Sequence, residues 1–336
     1  MGHLCESCSV KAKLILGAIF FCICFGLGYA PLNRYDPASV VGTSDARSYV
    51  AMVDGRQDVP AKRAVRVLVP LLARPIAHAA NGRIGTWNPI LFALLVINSA
   101  FVAWTAVLLL ATGEFVTGDR RVGLIASLIY LLTFNVINFQ LAGLVDSVEA
   151  WAIVAVTWAL LKQRWLLVPL IGIIGAIGKE TSVPLVLVFC IAWAATLAVT
   201  RSEERPPYWT VVALLLAQVV AVEVVHFSIT GLIAAPWKLT SAGITLSYAG
   251  QKFPLTTMLR ELAYSFVWLL PLGIPRLKDL PRVWLISSAA SLMVVFAMTM
   301  WVSVGENATR PAFNVVGPLL ALSGAIFLNR LLKPVT

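Results

Sequence analysis

Residues 87–111, WNPILFALLVINSAFVAWTAVLLLA, form the apolar stretch that decides the fold class, because they contain no charged side chain. A helix that crosses a membrane needs about 20 consecutive, mainly apolar residues. This stretch is long enough to do so, and the nearest charges on either side are Arg83 and Glu114. It therefore predicts an all-α membrane protein and argues against a soluble domain.

The composition extends this prediction to the rest of the chain. Of the 336 residues, 59% are hydrophobic and 12% are charged, against about 25% charged in an ordinary soluble domain. Apolar runs bounded by charges predict about ten transmembrane helices in a single domain, residues 1–336. The predicted spans are 14–30, 87–111, 122–138, 147–161, 165–178, 182–200, 208–228, 259–275, 283–303 and 311–329.

The Lys and Arg residues predict the orientation, because short basic loops stay on the cytoplasmic side. With both termini inside, every inner loop is basic, whereas the two long segments 31–86 and 229–258 lie outside. We therefore expect a multi-pass protein of the inner (plasma) membrane whose functional face is turned to the periplasm or exterior. Most of the net charge of +10 is then an orientation signal, and it predicts no nucleic-acid partner.

The first outer loop, residues 31–86, is the largest segment outside the predicted spans. It carries eight basic and four acidic residues, among them Asp36 and Asp45. Asp36 precedes Pro37, which favours a turn, and Asp45 is placed to cap a short helix. Either carboxylate could instead act as a general base that removes a proton from an attacking hydroxyl. Both interpretations stay open at this stage.

The end of the same loop, residues 61–80, is too short and too charged to span a membrane. It predicts an interfacial or re-entrant amphipathic helix, bent at Pro70 and Pro75. Its arginines could meet lipid headgroups as an anchor. Alternatively, Arg63 or Arg66 faces inward and binds a phosphate, whose oxygens match the guanidinium fork.

Polar residues recur at other predicted outer helix ends. Lys179 and Glu180 lie in GKET, residues 178–181. These two residues either pair with each other and with nearby backbone groups, or Lys179 contacts a phosphate and Glu180 orients a substrate. Asp146 and Glu149 have the spacing of a capping box at the start of a helix, which is the favoured interpretation, with substrate binding by Asp146 as the alternative.

Two further outer residues have the same ambiguity. Arg310, before Pro311, either anchors the last helix at the interface or reaches a lipid phosphate. His226 shares a helix face with Glu223, where a hydrogen bond between helices is favoured over substrate binding.

Taken together, these features resemble the GT-C superfamily of integral membrane glycosyltransferases, which use polyprenyl-phosphate-linked sugars at the outer or lumenal face. The similarity lies in an inside N-terminus and an acid-bearing first outer loop with a membrane-skimming helix. Local segments look like those of small bacterial members that lack a C-terminal soluble domain. These segments are DARSYVAM (45–52), RAVRVLVPLLAR (63–74), the Asp146 helix start, GKET (178–181) and RPAF (310–313).

The resemblance implies a catalytic acid in the first outer loop. Asp45 is preferred because D-x-x-x-Y, Asp45 to Tyr49, looks like the signature of members that use polyprenyl-phosphate mannose; Asp36 is the alternative. Members of the family often carry a close acidic pair here, but Asp36 and Asp45 are nine residues apart. The chain therefore gives no support for a divalent metal, and no cofactor is expected.

The resemblance also implies partners and roles. The expected donor is a polyprenyl-phosphate sugar, and the expected acceptor is a hydroxyl group of a lipid or glycan. Membrane lipids are expected to surround the chain. Direct displacement of the phosphate is expected to invert the configuration of the sugar's anomeric carbon. The expected donor-phosphate contacts are Arg63, Arg66, Lys179 and Arg310, and the expected substrate contacts are Tyr49, Glu180, Asp146 and His226. The alternatives are a transporter or flippase of lipid-linked saccharides, which favours ionisable groups at mid-membrane, and a non-catalytic membrane subunit.

Overall fold

A computed structural model describes residues 10–34, 44–56, 59–202, 204–231, 233, 263–301 and 308–332. Within these ranges the regular structure is helical and no strand occurs. The helices are α1 Val10–Arg34, α2 Ser44–Val53, α3 Ala61–Ala64, α4 Leu68–Ala80, α5 Pro89–Thr117, α6 Arg120–Leu131, α7 Asp146–Leu161, α8 Leu167–Gly178, α9 Ser182–Val199, α10 Tyr208–Thr230, α11 Leu269–Gly273, α12 Arg282–Trp301 and α13 Thr309–Leu332. A π-helical turn, Val136–Gln140, precedes α7, and a 3₁₀ turn, Ile274–Asp279, follows α11.

The all-α prediction is confirmed for the described residues. Five helices are long and apolar enough to cross a membrane, namely α1, α5, α9, α10 and α13. By contrast, α6 and α8 have 12 residues each and α7 has 16. A helix of 12 residues is about 18 Å long, shorter than the hydrocarbon core of about 30 Å. The ten predicted spans therefore stay a prediction.

Helix α7 is the central element, because nearly every residue along it is buried. It packs against α5, α8, α9 and α13. A helix that is apolar on all sides is expected to be surrounded by others. The two acidic residues in its first turn, Asp146 and Glu149, are consequently carried into the interior at one end of the bundle.

Helices α5 and α6 form a closely packed hairpin. Gly118, in the left-handed conformation, ends α5, and the Asp119 side chain caps α6 by accepting a hydrogen bond from the Arg121 amide. Gly113 and Gly123 face each other at the contact, so that the two backbones nearly touch. The Ser127 hydroxyl donates across it to the carbonyl of Ala106, 2.7 Å away.

Substitution of Gly123 by alanine is expected to lower the free energy of unfolding by about 1–3 kcal/mol, the usual cost of overpacking. The added Cβ would lie 2.3 Å from the backbone oxygen of Leu110, which no rotamer change can relieve. The measurement is chemical unfolding of the purified protein in detergent. Gly26→Ala is the control, because a Cβ there meets no atom of the described residues within 4 Å. Equal loss of stability in both variants would contradict this packing.

Residues 61–80 of the predicted first outer loop form two short helices where one was expected. The prediction of a single bent helix over 61–80 is wrong, because α3 ends at Ala64 and α4 begins at Leu68. The break leaves Arg66 in a non-helical connection, from which its side chain can reach other elements. On α4, Arg74 donates to the carbonyl oxygens of Met52 and Val53, 2.8 and 3.3 Å away, at the end of α2. This arginine therefore holds α4 against the end of α2.

Polar contacts hold the C-terminal end of helix α13. The Asn329 amide donates to the Asp119 carboxylate at 3.1 Å. Arg330 forms an ion pair with Asp279 at 3.0 Å, and Arg276 lies 3.7 Å from the same carboxylate oxygen. These contacts join the last helix to the start of α6 and to the 3₁₀ turn, opposite the end that carries Arg310.

Candidate functional site

Charged side chains from four distant parts of the chain meet at one end of the bundle. The first outer loop, the start of α7, the connection between α8 and α9, and the start of α13 each contribute. We call this group the ion-pair cluster. Its members are Asp45, Arg63, Arg66, Asp146, Glu149, Lys179, Glu180 and Arg310.

Asp45 is the member on α2, in the first turn of that helix. Its carboxylate forms an ion pair with Arg63, which also donates to the Ser48 hydroxyl at 3.2 Å. Ser48 and Tyr49, three and four residues after Asp45, are buried on the same face of α2. About a quarter of the Asp45 side chain remains exposed, so it can be reached from the surface of the protein.

Arg66 links the loop to the connection between α8 and α9, and all three of its guanidinium nitrogens donate hydrogen bonds. Its Nε and Nη2 donate to the two carboxylate oxygens of Glu180 at 2.7 and 2.5 Å, and its Nη1 donates to the Tyr49 hydroxyl at 2.9 Å. Burial raises the pKa of Tyr49, although the nearby Arg66 charge opposes the rise. Tyr49 therefore remains a neutral phenol at physiological pH.

Lys179 lies at the centre of the most buried part of the cluster. Its ammonium group contacts Asp146 at 2.8 Å and also pairs with Glu149, whose carboxylate accepts a hydrogen bond from Thr181 at 3.0 Å. Burial alone would lower the pKa of Lys179, but the carboxylates of Asp146 and Glu149 outweigh it and raise the pKa. Lys179 is therefore a fixed cation between two buried anions.

Burial would likewise raise the pKa of Asp146, but the charges of Lys179 and Arg310 hold it below its ordinary value. The predicted capping box at Asp146 and Glu149 is wrong. Helix α7 begins without a side-chain cap, because the two carboxylates turn to Lys179. A lysine at the neighbouring helix junction is a stronger partner for a buried carboxylate than a backbone amide.

Arg310 is paired less closely than the other cations. Its Nη1 lies 4.0 Å from the Asp146 carboxylate, beyond hydrogen-bond distance, and its guanidinium carbon lies 4.3 Å from the centre of the Phe139 ring. Its buried Nε has no hydrogen-bond partner among the described residues. Arg310 therefore retains donor capacity, whereas all three nitrogens of Arg66 donate to Glu180 or Tyr49.

A buried polar chain supports this end of α13. The Tyr130 hydroxyl donates to Gln140 at 2.8 Å, and the Gln140 amide donates to Asn314 at 3.0 Å. Asn314 lies one helical turn after Arg310 on α13. Its amide donates to the backbone oxygen of Asp146, 3.5 Å away. Sequence reasoning missed Gln140 and Asn314, because single amides within apolar runs carry no motif. The π-helical turn that presents Gln140 is a feature common at functional sites.

The cluster contains four cations and four carboxylates, so its formal charges balance. The charge of Arg66 acts on both Asp146 and Lys179, and the charges of Asp146 and Asp45 act on Tyr49. The three local groups of ion pairs thus form one electrostatic unit. An additional anion would have to be stabilised mainly by the donors that Arg310 leaves unused.

Most of the predicted site residues are brought together here. These are Asp45, Tyr49, Arg63, Arg66, Asp146, Lys179, Glu180 and Arg310, and Glu149, predicted only as a cap, joins them. His226 lies on α10, where its Nδ1 is 3.1 Å from the Thr230 hydroxyl. Asp36 lies outside the described residues.

Within the described ranges no group of three His, Cys, Asp or Glu side chains is arranged to hold a metal ion. The carboxylates of Asp146 and Glu149 converge on the Lys179 ammonium group. Comparison of the sequence with protein-family models and with curated proteins found no match.

Proposed function

We propose that this chain is a membrane glycosyltransferase of the GT-C type. It transfers a sugar from a polyprenyl-phosphate donor to a hydroxyl group of a glycolipid or glycan at the outer face of the plasma membrane. The observation that supports this proposal most is that the segment carrying Asp45 reaches the α8–α9 connection through the Arg66–Glu180 pair. Lys179 and Arg310 pair with Asp146 in the same cluster. A base and a phosphate-binding cation are the two groups that the reaction requires.

Glu180 is as exposed as Asp45, but Arg66 binds both of its carboxylate oxygens. Asp45 is therefore the proposed general base, since it is more accessible than the other two acidic groups of the cluster. Its side chain is 26% exposed, against 6% for Asp146 and 0% for Glu149, both of which are held by Lys179. An ionised carboxylate only accepts hydrogen bonds, which suits it to receive a proton from an acceptor hydroxyl. Arg63 keeps this carboxylate oriented.

The proposed reaction is a direct displacement. The acceptor oxygen forms a bond to the anomeric carbon while the bond from that carbon to the phosphate oxygen breaks. Asp45 takes the hydroxyl proton, and the bonding electrons leave with the polyprenyl phosphate. Attack from the opposite face inverts the anomeric carbon, as in other inverting sugar transfers. Because the phosphate is a good leaving group, no strong general acid is needed.

Arg310 is the proposed contact to the donor phosphate, since its Nε has no hydrogen-bond partner in the described part of the chain and its Nη1 is only loosely paired. Arg66 and Lys179 would act indirectly, by holding Glu180, Asp146 and Glu149 and by supplying positive potential. Arg guanidinium groups bind phosphate oxygens through several parallel hydrogen bonds. Tyr49 and Glu180, which share the guanidinium group of Arg66, would define the wall of the substrate site.

The test is incubation of the purified protein with a panel of polyprenyl-phosphate sugars. Release of polyprenyl phosphate in the presence of lipid or glycan acceptors is the expected result. The α-or-β configuration of the product, read by NMR, should be opposite to that of the donor. Movement of an unchanged lipid-linked sugar across reconstituted vesicles, without cleavage, would contradict transfer and favour the flippase alternative.

A further inference from the structure

Three aromatic side chains continue outward from Arg310. The guanidinium carbon of Arg310 lies 4.3 Å from the centre of the Phe139 ring. Phe139 meets Phe134 edge to face, with ring centres 5.8 Å apart, and Phe134 stacks on Tyr264 at the same distance. We call Phe139, Phe134 and Tyr264 the aromatic row.

The outer two rings of the row are more exposed than Arg310 at its inner end. The Arg310 side chain is 14% exposed, whereas Phe134 is 38% and Tyr264 is 60% exposed. The rings come from two segments that are far apart in sequence, the π-helical turn region and the helical turn at 263–266. The row therefore forms a continuous apolar surface that leads from a buried cation to the outside of the bundle.

The cation at its inner end limits what the row can bind. An apolar surface alone would accept any lipid chain, but this one starts at the Arg310 guanidinium group, whose Nε is unpaired among the residues that the structure describes. A suitable ligand places an anion at Arg310 and a hydrocarbon chain along the rings. Aromatic rings bind such chains by burying large apolar areas.

We propose that the aromatic row binds the first isoprene units of the donor's hydrocarbon chain, with the phosphate at Arg310. This inference rests on the proposed function and adds to it the path of the lipid. Sugar and acceptor would then lie on the other side of the phosphate, toward Asp45. The donor's anomeric carbon would thereby lie between Arg310 and the base.

The experiment compares two lipid probes, undecaprenyl phosphate and its neutral alcohol undecaprenol, bound to the purified protein in nanodiscs. Phe134→Ala and Tyr264→Ala are expected to weaken the binding of both probes by the same factor, about tenfold when combined. Arg310→Gln is expected to weaken binding of the phosphate alone. Phe296→Ala, which alters a phenylalanine on α12 that is also 38% exposed, should change neither.

Each outcome separates the two proposals. If the unmodified protein binds no undecaprenyl phosphate, the proposed function fails and the row fails with it. If it binds the phosphate but the aromatic variants bind both probes normally, the row alone is contradicted. Tyr264→Ala, at a largely exposed position, keeps the test valid if Phe134→Ala folds poorly.

Discussion

Replacement of Asp45 by asparagine is expected to lower the rate of sugar transfer by about 100- to 10,000-fold, the usual contribution of a positioned general base. The amide has nearly the same shape, but it cannot accept the acceptor's proton. Donor binding should be unchanged, because Asp45 pairs with Arg63 and the proposed phosphate contact is Arg310. The measurement is release of polyprenyl phosphate at saturating donor, together with donor affinity.

Asp54→Asn is the matched control for this experiment. It removes the same charge from the same loop, where the Asp54 carboxylate is 54% exposed and lies 3.3 Å from Arg56. Its activity should stay close to that of the unmodified protein. Asp36→Asn is measured in parallel. Loss of activity in that variant alone would transfer the role of base to Asp36, and full activity in both Asp45→Asn and Asp36→Asn would contradict the mechanism.

Replacement of Lys179 by methionine is expected to lower the free energy of unfolding by about 3–5 kcal/mol, as for other buried ion pairs that lose one partner. Methionine fills similar space but leaves Asp146 and Glu149, which are nearly fully buried, without their shared cation. Two carboxylates would then repel each other in an environment of low polarity. Chemical unfolding in detergent measures the effect.

Two further variants make this prediction specific. Lys162→Met changes an exposed lysine near the opposite end of α7 and should cost much less. Adding Glu149→Gln to Lys179→Met should restore part of the lost stability, because one buried negative charge is removed. A double variant no more stable than Lys179→Met, or a Lys179→Met variant as stable as Lys162→Met, would argue against the buried network.

Much of the helical fold could be predicted because its signal is local. An uncharged run such as 87–111 has few alternatives to a helix, and α5 covers most of it. Helix length was harder to predict, since α6 ends at Leu131 and the π-helical turn follows within the same apolar run, 122–138. Hydropathy does not register this interruption, because it falls inside a run without charged residues.

The sequence predicted most of the residues that belong to the candidate site. It did not predict which of them form ion pairs with each other. Charges at successive outer helix ends identified Asp45, Arg66 and Lys179 as members of one group. Their partners depend on side-chain directions that spacing alone does not give. Glu149 has the spacing of a capping residue, yet it faces Lys179 because α8 and α9 bring that lysine against α7. Arg66 became available to Glu180 because the loop helix breaks around it.

The polar contacts at both ends of α13 have a mechanical consequence. Arg310 and Asn314 engage the start of α7, while Asn329 and Arg330 engage Asp119 and Asp279 at the other end. A shift of one residue along the helix axis moves the side chains by about 1.5 Å, which would break contacts at both ends together. These contacts give the helix one preferred register, although Pro318 removes a backbone hydrogen bond from its interior. A transport cycle that moves α13 against α6 and α7 would have to break these contacts at every turnover, whereas the proposed group transfer would leave them in place.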